Sequence, residues 1–101
     1  MPESAVQASR DAVIVELQTI AADARTYYRK PANIGGGGRV FTGYSIPQRL
    51  RTTANGTYTI TSTAAQSIQI RGEGKERNES NQLIRHRATI TPTSVTITRL
   101  R

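Results

Sequence analysis

Few side chains in this chain are of types that do chemistry. The one histidine, His86, stands between Arg85 and Arg87. A general base needs a partner and a reachable substrate proton, whereas strand alternation turns His86 towards the interior and the flanking arginines resist its protonation. The chain has no cysteine, so neither a disulfide framework nor thiolate chemistry is available. We therefore expect a structural role for His86, and no enzyme activity, metal or cofactor.

Two further patterns could bind ions, and neither has the required spacing. The glycine run at 35–38 lacks the Lys-Ser/Thr ending of a phosphate-binding P-loop and follows no predicted strand. Glu73, Glu76 and Glu79 lie in a polar, turn-rich segment, where solvation is expected rather than cation binding.

The elements that position these residues begin with one long amphipathic helix, predicted over residues 4–30. At about 100° per residue, its apolar side chains form a broad stripe that should cover a sheet. Pro31 ends the helix, because the residue before a proline is disfavoured in the α region. The apolar stripe comprises Val6, Val13, Ile14, Leu17, Ile20, Ala21, Ala24, Tyr27 and Tyr28.

A second line of residues runs down the opposite side of the helix, and we name it the helix seam. Its spacing alternates between 3 and 4 residues, as in a heptad repeat. Small side chains allow a second helix to approach closely, although alanine is also simply a good helix former on a hydrated face. Glu16 and Asp23 lie near this line, so a fully dry contact along its whole length is not expected. The seam comprises Ala5, Ala8, Ala12, Val15, Thr19, Ala22 and Thr26.

The rest of the chain predicts a loop over 31–56 and a sheet over 57–101, in a single domain spanning 1–101. Residues 57–62, 67–72, 83–91 and 94–99 alternate between apolar and polar side chains, which is typical of a half-buried antiparallel sheet. The charged segment 73–81 is expected to be a mobile connection. Short sequential connections favour a meander. The predicted fold class is α+β, with the helix packed on a four-stranded antiparallel meander.

The charge of +7 is unevenly distributed. Residues 1–30 hold four acidic and four basic residues, whereas the remainder holds three acidic and ten basic residues. Arg71, Arg85 and Arg87 share the outer face of the predicted sheet with several threonines. Such a face can attract an anionic polymer such as DNA or a polysaccharide, or can merely keep the protein soluble.

Several segments resemble bacterial prepilin-like proteins, and the architecture resembles the globular part of a type IV pilin. The Tyr-Tyr-Arg-Lys-Pro segment together with the four glycines is the most specific part, and the similarity runs across nearly the whole chain. The segments that carry it are residues 10–14, 27–31, the glycine run 35–38 followed by Phe41, and residues 46–47, 55–58 and 89–93.

The resemblance implies a membrane-inserted precursor whose leader is cleaved, after which the helices bundle into an extracellular filament with the sheets outside. The apolar half of the helix, the cleavage site and the acidic residue near the mature N-terminus are not in this sequence. The cysteine pair of many pilins is also missing. We therefore expect a soluble, truncated form of a longer protein.

Two functions follow as expectations. The first is a structural subunit of a type IV pilus-like or secretion pseudopilus-like filament, which forms a homo-oligomer through the helix seam and meets the membrane only through the missing segment. The alternative is a module at the cell surface that binds an anionic polymer through Arg71, Arg85 and Arg87.

Overall fold

The computed structural model describes residues 3–78 and 80–100, with side chains from Val6 onward. The four strands lie side by side in the sheet in the order in which they follow one another along the chain, and every neighbouring pair is antiparallel. The helix packs on one face of this sheet. The predicted α+β fold with an antiparallel meander is therefore confirmed. The elements are α1 Glu3–Arg29, a 3-10 turn Ala32–Ile34, α2 Gln48–Arg51, β1 Gly56–Thr63, β2 Ile68–Arg77, β3 Leu83–Ile90 and β4 Val95–Arg99.

One hydrophobic core lies between α1 and the inner face of the sheet. The predicted helix stripe is buried there, except that Val6, Ile14 and Tyr27 are half-buried. Each fully buried Leu, Ile or Val contributes roughly 1.5–3 kcal/mol. The buried side chains are Val13, Leu17, Ile20, Ala21, Ala24 and Tyr28 from α1, and Tyr58, Ile68, Ile70, Ile84, Ala88 and Ile90 from the strands.

The glycine run caps the C-terminal end of α1. The backbone N–H groups of Gly37 and Gly38 donate to the carbonyls of Tyr27 and Lys30 at 2.8 and 3.0 Å. A helix end leaves such carbonyls without partners inside the helix. A Cβ on Gly36 would lie only 2.1 Å from the carbonyl oxygen of Lys30. The run is therefore required for chain reversal and close backbone approach.

The loop that follows is fixed to the helix by aromatic side chains. Phe41 stacks near Tyr28 with ring centroids 4.9 Å apart, and Tyr44 lies 5.5 Å from Tyr27. The hydroxyl of Tyr44 donates to an Asp23 carboxylate oxygen at 2.7 Å. Burial, and then this hydrogen bond, raise the pKa of Tyr44. Residues 31–56 therefore form an ordered layer over the C-terminal half of α1.

The prediction that residues 73–81 form a connecting loop is wrong for residues 73–77, which continue β2. Gly74 lies opposite Gly56 in the pairing of β2 with β1, and Glu73 lies opposite Arg85 in the pairing with β3. The inner-face positions here are glycines, so no apolar alternation marks the strand in the sequence. A Cβ on Gly74 would lie 2.5 Å from the Ile84 side chain and 3.3 Å from Ser9 Oγ. Glycine thus lets the helix approach this end of the sheet.

Candidate assembly and anion-binding surfaces

The helix seam lies on the face of α1 that points away from the sheet. Ala8, Thr19, Ala22 and Thr26 are exposed, Ala12 is half-buried, and Val15 is 58% exposed. The side chain of Ala5 lies outside the described residues. An exposed valine in the middle of a row of small side chains forms an apolar strip that no described part of this chain covers.

The hydroxyl groups of the seam already have partners within the helix. Thr19 Oγ1 donates to the Val15 carbonyl at 3.1 Å, and Thr26 Oγ1 donates to the Ala22 carbonyl at 3.0 Å. Burying a hydroxyl without a hydrogen bond is costly. Because these two are satisfied locally, a second helix can cover the seam without leaving either hydroxyl unsatisfied.

The acidic residues beside the seam are held by the rest of the domain. The Glu16 carboxylate accepts hydrogen bonds from Thr53 Oγ1 at 2.8 Å, from Asn55 Nδ2 at 3.1 Å and from the Tyr58 hydroxyl. Burial alone would raise the pKa of Glu16, but these three hydrogen bonds outweigh it and lower the pKa. Asp23 is likewise bound by Tyr44. Both carboxylates are therefore engaged with the loop and with β1.

The three arginines proposed as an anion-binding face are not equivalent. On the outer face of the sheet, Arg85 Nη2 and Nε lie 2.6 and 3.2 Å from Glu73 Oε2. Two such contacts form a charge-assisted pair. The charge of Arg85 is therefore compensated within the sheet, and this pairing was missed because Glu73 was expected to lie in a loop.

Arg71 and Arg87 form the part of this face that keeps its positive charge. They lie directly opposite each other on β2 and β3, with Thr59 opposite Arg71 on β1 and Thr98 opposite Arg87 on β4. Like charges directly opposite across strands are unfavourable. Arg87 Nε is buried and has no hydrogen-bond partner among the described residues. The sheet therefore holds two guanidinium groups in one row, flanked by hydroxyls.

His86 lies on the inner face, as alternation predicted, and is 3% exposed. Its charged neighbours are Arg10 on α1 and Arg99 on β4 rather than the arginines beside it in sequence. Burial, and then the charges of Arg10 and Arg99, lower its pKa. Nδ1 of His86 is buried without a partner among the described residues.

Arg10 and Arg99 are residues that the sequence analysis missed. Arg10 is only 6% exposed, and burial followed by the charge of Arg99 lowers its pKa. It precedes Val13 and Leu17 at spacings of 3 and 7 residues, so it lies on the buried stripe of α1. Arg99 shares inner-face parity with Ile97 and lies opposite His86. The helical spacing of α1 and the alternation of β4 could therefore have placed Arg10 and Arg99 on the inner side of these elements.

Comparisons of the chain with protein-family models, with curated proteins and with solved structures find no match. Across residues 3–78 and 80–100, no cluster of three or more His, Asp or Glu side chains is arranged to hold a metal ion. The same part of the chain contains no helix with the length and apolar character needed to cross a membrane.

Proposed function

We propose that this protein is a structural subunit of an extracellular filament of the type IV pilus-like or pseudopilus-like kind, in which the helix seam contacts neighbouring helices. The supporting observation is that the seam is exposed along the face of α1 opposite the core. The sheet, with its basic outer face, is displayed away from the contact. The segment resemblance to prepilin-like proteins supports the same role, with a membrane-inserted precursor.

Two features of α1 suit it to helix–helix contact. The seam offers alanine, threonine and valine side chains, which permit close backbone approach. Its two hydroxyls at Thr19 and Thr26 are bonded to the helix itself, so their burial leaves no polar group unsatisfied. The opposite face of the same helix is buried on the sheet, so α1 joins the domain to the assembly.

An assembly assay in the native cells tests this role. Ala22→Trp places a bulky indole in the exposed seam and should abolish filaments of the full-length protein, because close approach of helices is prevented. Gln18→Trp is the matched control, since Gln18 is also exposed on α1 but is not a seam residue, and it should assemble normally. Normal filaments with Ala22→Trp would exclude the seam as the contact.

A second role, binding of an anionic polymer, is favoured by the opposed pair Arg71 and Arg87. Arginine suits phosphate recognition because its planar group donates two parallel hydrogen bonds. A DNA strand across the outer face would relieve the repulsion between the two groups. This role is compatible with the filament, since it uses the face away from the helix.

Titration of DNA at several salt concentrations tests the second role. Replacing Arg71 and Arg87 with Gln should lower affinity at low salt and reduce the slope of log affinity against log salt by about 1.8, if each arginine neutralises one phosphate. Replacing the exposed residues Arg29 and Lys30 with Gln changes the net charge equally and should leave the slope nearly unchanged. Absence of binding at low salt would exclude the role.

A further inference from the structure

The edge of the sheet formed by β1 is protected against pairing with another chain. Thr52 forms an isolated bridge to Thr57, and the N–H of Thr53 donates to the Gly56 carbonyl at 2.9 Å. Further along, the register of β1 against β2 shifts after Ile60. A covering loop and a bulge both discourage the addition of a further strand. The β1 edge is therefore a poor site for strand pairing.

The opposite edge, formed by β4, has neither protection. β4 pairs with β3 in unbroken register, and no described part of the chain pairs with its other side. Its sequence, Val-Thr-Ile-Thr-Arg, contains no proline or lysine and is rich in β-branched residues, which favour strands. This edge therefore presents unpaired backbone groups to a further strand.

Two hydrogen bonds show which backbone groups of β4 point away from β3. The N–H of Leu100 donates to the Arg85 carbonyl at 2.8 Å, and the N–H of Thr91 donates to the Ser94 carbonyl at 2.9 Å. Hydrogen-bonded and non-hydrogen-bonded pairs alternate in an antiparallel ladder, so the two threonines within β4 also bond to β3. The residues whose N–H and C=O groups point outward are Val95, Ile97 and Arg99.

The outward backbone groups form a self-complementary pattern. If a second β4 runs antiparallel beside the first, with Ile97 opposite Ile97 of the second copy, then Val95 lies opposite Arg99 on both sides of the axis. All three pairs fall at outward-facing positions, so each exchanges two hydrogen bonds and the edge gains about six. One two-fold axis generates all of them, as in an isologous interface.

The side chains of β4 suit the same register. On the inner face, the half-buried Ile97 lies beside its own copy, and Arg99 lies beside Val95 rather than beside another arginine. On the outer face, Thr96 lies opposite Thr98 of the second copy. Threonine pairs across strands are favourable, whereas like charges directly opposite each other are unfavourable. The register opposes no like charges along β4.

We propose that two copies of this chain form a dimer by pairing their β4 strands in this register, which joins two four-stranded sheets into one. The two-fold axis is perpendicular to the sheet, so both α1 helices lie on the same face. Because α1 packs mainly over β2 and β3, the two helices are about four strand spacings apart, roughly 19 Å. The dimer therefore does not use the helix seam, and it closes on itself rather than propagating.

The size of this contact predicts a weak dimer. Interfaces contain roughly one hydrogen bond per 100–200 Å², so about six bonds correspond to roughly 600–1,200 Å² of buried surface. Interfaces of that size belong to the weak class. We expect half-dimerisation at a concentration between about 10 µM and about 0.5 mM.

Sedimentation equilibrium of the 101-residue chain, from about 10 µM to about 1 mM, measures the association. Thr96 and Thr98 are exposed, so their replacement should leave the fold intact. The double variant Thr96→Lys with Thr98→Lys should dimerise about tenfold more weakly or worse, because lysines would lie opposite lysines at two places. Thr96→Lys with Thr98→Glu should dimerise at least as well as the unmodified chain, because each lysine then lies opposite a glutamate.

The matched control is Thr59→Lys with Thr61→Lys on β1. Both positions are exposed, and the added charge is the same as in the two-lysine variant of β4. Thr59 also lies opposite Arg71 as Thr98 lies opposite Arg87. This control should dimerise as the unmodified chain does, and equal weakening in both two-lysine variants would overturn the proposal.

Amide hydrogen exchange followed by nuclear magnetic resonance identifies the edge that is used. The amides of Thr96 and Thr98 bond to β3 and should be protected at every protein concentration. The amides of Ile97 and Arg99 should become protected only as the concentration rises. Exchange at these two amides that does not depend on concentration would overturn the proposal.

The helix seam provides the last comparison, because the dimer goes beyond the filament role and does not depend on it. Ala22→Trp should leave dimerisation of the 101-residue chain unchanged even where it prevents filaments. Loss of the dimer in Ala22→Trp would place the contact on the seam and overturn the proposal. A chain that remains monomeric up to about 1 mM, or equal dimerisation of the two Thr96 double variants, would overturn it as well.

Discussion

Arg71 on β2 lies directly opposite Arg87 on β3, so that two positively charged residues are paired across the outer face of the sheet. The next pair on the same face of these two strands, Glu73 with Arg85, has opposite charges and forms an ion pair at 2.6 Å. The β2 residue is positive in the first pair and negative in the second, whereas the β3 residue is an arginine in both. They therefore provide an internal comparison of repulsion and attraction at neighbouring places in one sheet.

We expect Arg71→Thr to stabilise the domain by roughly 0.2–1 kcal/mol, because it removes a like-charge pair and places a β-branched residue in a strand. Chemical denaturation at low salt measures the change, which should shrink as salt screens the charges. Arg85→Thr is the control and should destabilise the domain, since it breaks the pair with Glu73. A loss of stability in Arg71→Thr would indicate that the opposed arginines stabilise each other's packing.

We expect Gly74→Ala to destabilise the domain by about 1–3 kcal/mol, the usual cost of overpacking a core. The added methyl would lie 2.5 Å from the Ile84 side chain. Lys75→Ala, at the next and exposed position of β2, should change stability little. Thermal unfolding of the two variants beside the unmodified chain measures the difference, and equal melting temperatures would refute the close packing of Ile84 against Gly74.

Glu16→Ala should destabilise the domain by roughly 1–3 kcal/mol, because Tyr58, Thr53 and Asn55 lose their common acceptor. Asp11→Ala is the control, since Asp11 is exposed and accepts one hydrogen bond, from Gln7 on the same helix. Denaturation curves of both variants test this expectation. A similar small loss in both would mean that the hydrogen bonds to Glu16 add little to stability.

The stability of the domain should fall as pH decreases below the ordinary histidine pKa of about 6.5. Burial and the charges of Arg10 and Arg99 lower the pKa of His86 in the folded state. The unfolded chain then binds more protons, so stability is fully present above the unfolded pKa and is lost as pH falls towards the folded one.

The pH dependence of His86 can be separated from that of Glu16. The lowered pKa of Glu16 also makes stability fall with decreasing pH, but only below about 4.5, the ordinary value of its pKa. His86→Gln should therefore flatten the stability curve between neutral pH and about pH 5 while leaving the acidic part. If the plot of stability against pH is the same in His86→Gln as in the unmodified chain, the pKa of His86 is not lowered in the folded state.

Much of the fold follows from two periodicities in the sequence. Residues such as Val13, Leu17 and Ile20 on α1 are spaced for one face of a helix, while Ile68 and Ile70 alternate as in a strand, and all of them are buried as expected. The burial of such apolar side chains dominates the free energy of folding. Their spacing along the sequence therefore predicts well that the helix packs on one face of the sheet.

What the sequence left unpredicted depends on glycine and on pairs of distant residues. Gly72 and Gly74 occupy inner-face positions of β2 without an apolar side chain, so the predicted strand ended at Gly72 although β2 continues to Arg77. The Glu73 pair with Arg85 was missed for the same reason. The carboxylate of Glu16 and its partner Tyr58 lie 42 residues apart, and no local pattern predicts such a contact.

Cysteine cross-linking of the full-length protein in its native cells tests the filament proposal most directly, because the described chain has no cysteine of its own. A chain carrying Ala8→Cys and Ala22→Cys should yield a ladder of multimers on oxidation or with a short bismaleimide. A chain carrying Gln7→Cys and Gln18→Cys, exposed positions of α1 outside the seam, should remain largely monomeric. Monomers alone in the seam variant, or equal ladders in both variants, would contradict the assembly of subunits through the helix seam.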